Sequence, residues 1–143
     1  MNISTQKPPP VPVLKRWLPA ILWAGFIFFV SHQPKATLAP IQPSGISAEP
    51  GITFLGIEAD IIVGKSSHVL AFAILAALLY RATNNRWLTI LLSLIYAISD
   101  EWHQSFIPGR TPRTTDVGYD MLGVGLALLF ITCITLWKKR HPR

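Results

Sequence analysis

Four long apolar runs divide the chain, each close to the length at which a helix crosses hydrocarbon. A bilayer core about 30 Å thick takes roughly 20 helical residues at a rise of about 1.5 Å each. The pattern predicts spans over residues 14–31, 61–80, 87–106 and 117–137. The first carries Trp17 and Trp23 and begins beside Lys15 and Arg16. The second opens on Lys65 and His68 and is purely apolar from Val69. The third is largely apolar to Ile98 and then turns polar, and the fourth is broken by Asp120, Thr132 and Thr135. Three of the four runs therefore have one polar end.

The connections differ in kind. Residues 1–13 form a proline-rich tail that leans to polyproline II and needs no fold of its own. Residues 32–60 hold Pro34, Pro40, Pro43 and Pro50 with Gly45, Gly51 and Gly56, which predicts a long irregular outer loop. RATNNR, residues 81–86, predicts a tight turn between helices. The expected architecture is all-α: a four-helix transmembrane bundle over residues 14–137, closed by a basic tail at 138–143. No internal repeat is present.

Composition agrees with this picture. Half of the 143 residues are hydrophobic, 14% are charged and the mean hydropathy is +0.40. A net charge of +6 raises nucleic acid as a partner, but the basic residues flank apolar runs and form no basic helix or aromatic-basic platform. Four spans would put Lys7, Lys15, Arg16, Arg81, Arg86, Lys138, Lys139, Arg140 and Arg143 on one face without a single acid. All seven acids fall on the other face, with Lys35, Lys65, Arg110 and Arg113. The positive-inside rule then sets both termini in the cytoplasm, in the inner membrane of a bacterium. Cleavage of the first run as a signal peptide is disfavoured by its length and by Pro40 after Ala39. Cys133, alone and mid-run, reads as a small buried hydrophobe. Trp17, Trp87 and Trp137 lie where interface anchors are expected.

The stretch SDEWHQSFIPGRTPRTTDVGYDMLG, residues 99–123, concentrates the chemistry. At about 100° per residue, Asp100 and Gln104 lie about 40° apart on a helix, with Glu101 and His103 on their flanks and Trp102 opposite. Lys65 and His68 lie one turn apart, and Phe72 continues that face. Asp116, Asp120 and Gly123 form a third stripe, and Gly123 with Ala127 has the small-xxx-small spacing of packed helices. Three helices thus offer polar stripes at one depth. Charges there are costly beside lipid and are expected to face inward and pair. Pro108-Gly109 predicts a turn that presents Arg110. His32, Glu49, Glu58 and Asp60 read as loop surface.

Lys65-x-x-His68 with Phe72, Asp100-Glu101-x-x-Gln104, Pro108-Gly109-Arg110, Asp116 and Gly123 together resemble the VanZ-like family of small bacterial membrane proteins. The resemblance covers roughly residues 60–130, and this chain has Asp120 where the family often has Asn. It implies a multi-span envelope protein, in a family named for a member linked to resistance to the glycopeptide teicoplanin. It implies no settled reaction.

Three readings of the cluster stay open: a structural ion-pair network, a ligand or catalytic site, and a metal site. Lys65, His68, Asp100, Glu101, Gln104, Arg110, Asp116 and Asp120 are the candidate binding residues, the first seven also the catalytic candidates. Asp, Glu and His68 suit Mg²⁺, Mn²⁺ or Zn²⁺, but no H-x-x-x-H, C-x-x-C or D-x-D spacing specifies one, so no cofactor is expected. The function expected first is binding or modulation at the outer mouth, with membrane lipid, a lipid-linked envelope precursor, a phosphate-bearing group or a glycopeptide as partner. A membrane enzyme at the outer leaflet is the alternative. A transporter, which four spans could form only as an oligomer, is disfavoured because the charges lie at one end.

Overall fold

The computed structural model describes residues 12–33, 53–54 and 57–141, with the side chains of 53–63 left aside. The proline-rich tail to residue 11 and the loop over 34–52 lie outside the described residues. Four helices carry the fold: α1 (Val13–His32), α2 (Ala59–Thr83), α3 (Arg86–Gln104) and α4 (Thr114–Arg140). Before α2, part of the connection expected to be irregular is a small antiparallel hairpin, with β1 (Thr53–Phe54) and β2 (Ile57–Glu58) in the register Thr53↔Glu58 and Phe54↔Ile57.

Each helix lies within a few residues of its apolar run. The run marks where side chains meet lipid or core, whereas the helical backbone continues into polar ends such as Lys138–Arg140. α1, residues 64–83 of α2, and α4 are each long and apolar enough to cross a membrane. α3 has the length but not the mean hydropathy, because a polar stripe runs along it. That stripe, Thr89, Ser93, Asp100, Glu101 and Gln104 with Ala97, is buried, while Trp87, Leu91, Ile95, Ile98 and Trp102 of the same helix are exposed. Small and polar residues inside with large apolar residues outside is the arrangement expected of a helix that packs in lipid. Leu70, Leu122, Leu126, Leu129, Phe130 and most of α1 continue the exposed apolar surface.

α2 touches the other three helices, and its pairing with α4 is the most extensive. Phe72, Leu75, Ala76 and Leu79 of α2 meet Val124 and Leu128 of α4, Ala97 of α3 and Ala20 and Ile27 of α1. Gly123 permits the close approach: a Cβ there would lie 2.1 Å from the Val69 carbonyl oxygen and 3.1 Å from the Ala73 nitrogen.

The α2–α3 turn is closed by local chemistry. Asn84 adopts a left-handed conformation (φ 52°), and its N–H donates to the Tyr80 carbonyl at 2.8 Å, the arrangement that ends many helices. Asn85 caps α3 by accepting the Leu88 N–H at 3.1 Å. The hydroxyls of Thr83 and Thr89 lie 3.2 Å apart, Thr89 Oγ1 donates to the Asn85 carbonyl, and Arg16 Nη2 donates to the Ala82 carbonyl at 2.7 Å.

Candidate functional site

The opposite end of the bundle gathers the C-terminal turns of α1 and α3 with the N-terminal parts of α2 and α4. Between α3 and α4 the chain turns at Pro108-Gly109. The Arg110 N–H donates to the Ile107 carbonyl at 3.1 Å and Gly109 has φ 76°, which is a type II turn with proline and glycine at the positions it demands.

Three carboxylates are buried here, and each has one oxygen engaged and one without a partner. Asp100, 3% exposed, accepts from Ser31 Oγ at 3.0 Å and Gln104 Nε2 at 2.9 Å, both through Oδ2. Glu101 accepts the main-chain N–H of Arg113 at 2.8 Å through Oε2. Asp120, 0% exposed, holds His68 Nδ1 at 2.9 Å through Oδ1, the one contact between a basic and an acidic side chain among the described residues and an ion pair when the imidazole is protonated. Asp100 Oδ1, Glu101 Oε1 and Asp120 Oδ2 are buried and unpartnered there. Burial of such acceptors costs free energy unless something donates to them.

Asp116 stands half-buried in the first turn of α4, beside His68 and Glu101. One ligand atom from each of His68, Glu101 and Asp116 lies within 4.8 Å of the others. Six of the eight candidate residues, His68, Asp100, Glu101, Gln104, Asp116 and Asp120, are thus gathered in one polar cluster at this end of the bundle.

Lys65 and Arg110 are placed otherwise. Lys65 Nζ sits 4.9 Å from the centre of the Tyr119 ring, at the head of an open groove of about 420 Å³ between α2 and α4, lined by Val69, Leu70, Leu122 and Leu126. The rotation of about 60° that separates positions 65 and 68 on α2 is enough to turn it from the acids toward the exposed apolar side. Arg110 donates to the Val30 carbonyl at 3.0 Å and the Gln33 carbonyl at 3.1 Å, and reaches Gln104 Oε1 at 3.5 Å. Its guanidinium therefore caps the carbonyls at the C-terminal end of α1 and pairs with no acid among the described residues. Arg113 serves Glu101 through its backbone. The structural ion-pair network, one of the three open readings, is not formed by Arg110 or Arg113 among the described residues, where Arg110 instead reaches Asp100 through Gln104.

Two partners escape a reading of the sequence. Ser31 at the end of α1 supplies a donor to Asp100. His32, expected at the surface of a loop, belongs to the last turn of α1, where its Nδ1 lies 3.1 Å from His103 Nε2 and both rings stack near Phe28. Beside them an open cleft of about 250 Å³ is lined by Phe28, Tyr96, Asp100 and Phe106. A polar residue closing an apolar run, opposite another such residue, was the only signal available for either.

Among comparisons with known proteins, no curated protein and no solved structure matches the chain. The family model described as VanZ/LLP1 matches residues 16–137, from the first turn of α1 to near the end of α4. The match spans most of the chain and contains every residue of the polar cluster, and the protein belongs to the VanZ/LLP1 family.

Proposed function

We propose that this is a multi-pass protein of the bacterial cytoplasmic membrane whose polar cluster forms a recess at the outer face and binds the donor-rich polar part of a glycopeptide or lipid-linked envelope precursor, modulating glycopeptide action. The observation that carries the reading is the set of three buried carboxylate oxygens without partners at one end of the bundle. Retaining them costs stability, and a ligand bringing ammonium, amide or hydroxyl donors recovers that cost on binding. A bare phosphate fits poorly, because Arg110 is committed to protein acceptors and Lys65 lies over Tyr119. Family membership supports the link to glycopeptide resistance.

In this reading α3 is the fourth span. Its 19 residues rise about 28 Å, and its polar stripe is shielded by the other helices. Both termini then lie in the cytoplasm with the basic residues, as the charge pattern favours. Cysteines introduced at Asn84 and Ser105 test this in intact cells: an impermeant reagent labels Ser105→Cys and spares Asn84→Cys. The reverse pattern would overturn the orientation.

A paired measurement tests the site. Asp100→Asn and Glu101→Gln keep bulk while removing charge, and each is expected to insert and melt like the parent yet lose the change in glycopeptide susceptibility. Trp102→Phe, on the exposed face, serves as the silent control. Loss of phenotype only where folded protein is lost would make the cluster scaffolding.

The His68–Asp120 pair favours a second reading, an outer-leaflet enzyme. A buried carboxylate on Nδ1 fixes the imidazole and leaves Nε2 free to move a proton. Turnover of a lipid-linked substrate by purified protein, abolished in His68→Gln, distinguishes catalysis from binding.

A further inference from the structure

We propose that His68, Glu101 and Asp116 form a binding site for one divalent transition-metal ion. No spaced motif announces such a site, because the three ligands come from α2, α3 and α4. Their ligand atoms lie within 4.8 Å of one another. Three ligand atoms about 2.1 Å from one ion at tetrahedral angles lie about 3.4 Å apart. The triangle therefore closes on an ion when each ligand atom moves inward by about 0.8 Å, within the reach of side-chain rotation.

The second observation is how the ligands are held. His68 has Nδ1 fixed by buried Asp120, which leaves Nε2 for the ion, the carboxylate–histidine–metal arrangement in which an outer group orients the ligand. Glu101, only 7% exposed, has Oε2 fixed by the Arg113 N–H and leaves Oε1 buried and without a partner. Asp116, in the first turn of α4, is half-buried. Two ligands are thus oriented by contacts at their other atom, and the third is more accessible than Glu101. One imidazole and two carboxylates suit Zn²⁺ or Mn²⁺ better than Mg²⁺ or Ca²⁺, which prefer oxygen alone. Three protein ligands leave a coordination position open. A bound ion would also reverse the sign of the recess locally and let it accept an anionic group that the bare acids repel.

The site shares the recess of the proposed function, but its test needs no glycopeptide. Full-length protein in detergent is stripped with chelator, and titration with Zn²⁺ and Mn²⁺ is followed by calorimetry and by melting temperature. One ion per chain is expected, with a rise in melting temperature. Co²⁺ substitution should give the visible absorption of a low-coordinate site. Glu101→Gln and Asp116→Asn should each remove stoichiometric binding. Asp116→Asn alters a half-exposed side chain outside the core, so a folded variant is available for the decision. Asp120→Asn should weaken binding by about 10- to 100-fold while leaving one ion per chain. His103→Ala should bind as the parent does, which separates this site from the His32–His103 pair. Absence of stoichiometric binding by the folded parent would overturn the proposal, as would binding that survives Asp116→Asn. Glycopeptide binding measured in chelator distinguishes failure of the metal site from failure of the proposed function.

Discussion

At the end of the bundle that holds the 84–85 turn, Arg16, Thr83, Asn85 and Thr89 all find partners within a few residues or across one helix contact. At the other end Asp100, Glu101 and Asp120 are more deeply buried than most of the apolar side chains, and each keeps one oxygen without a partner. The first end is built as a closure, and its polar groups replace water for the backbone. The second carries more polar groups than its own structure uses. Such surplus in low dielectric is a standing cost to the fold, and it is the feature on which the proposed ligand site rests.

The largest effect is expected just beneath the recess. Gly123→Val forces side-chain atoms into the Val69 carbonyl and separates α2 from α4, at a cost of about 3 kcal/mol or more. Melting in detergent measures it, and the His68–Asp120 contact should be lost along with the packing. A mild loss would mean that the recess does not depend on this contact.

Arginine removal compares the two ends directly. Arg110→Ala leaves the Gln33 carbonyl and Gln104 Oε1 without this donor, while Val30 keeps the Gln33 N–H, and should cost about 1–3 kcal/mol. Arg16→Ala removes one bond, to Ala82, and should cost about 0.5–1.5 kcal/mol. Equal losses by thermal unfolding would show that the relay through Gln104 carries no weight.

The smallest effect on stability is expected where the effect on function is greatest. Asp100→Asn and Glu101→Gln, measured with chelator present, should shift stability by less than about 1 kcal/mol, and any gain points to relief of buried charge. A loss above about 2 kcal/mol would mean that the two ends are alike, both serving closure.

Much of this was legible in the chain, for identifiable reasons. Hydrophobic run length gave the helices, since lipid contact and core packing both demand it. Helical periodicity gave the convergence of Asp100, Glu101, Gln104, Asp116 and Asp120, which depends only on backbone geometry. The partners of Arg110 were not legible, because they are backbone carbonyls of α1 some 80 positions away and carbonyls have no sequence signature. Lys65 and His68 share a rough face, yet the rotation of α2 against α4 decides which of them meets the acids, and that rotation is set by Gly123. The loop hairpin was hidden by the prolines and glycines around it.

The seating of Asp120 also has a consequence for how the chain is made. A lone carboxylate on α4 is a poor passenger for a bilayer, and His68, which holds it, lies on a helix synthesised some fifty residues earlier. As the ribosome delivers the segments in order, α2 and α3 are already in place when α4 emerges. The last helix then enters against a waiting imidazole and a groove shaped for Gly123. Assembly of the site thus waits on α4, so a chain truncated before α4 would keep two apolar helices long enough to span and yet lack Asp116, Asp120 and the Gly123 contact.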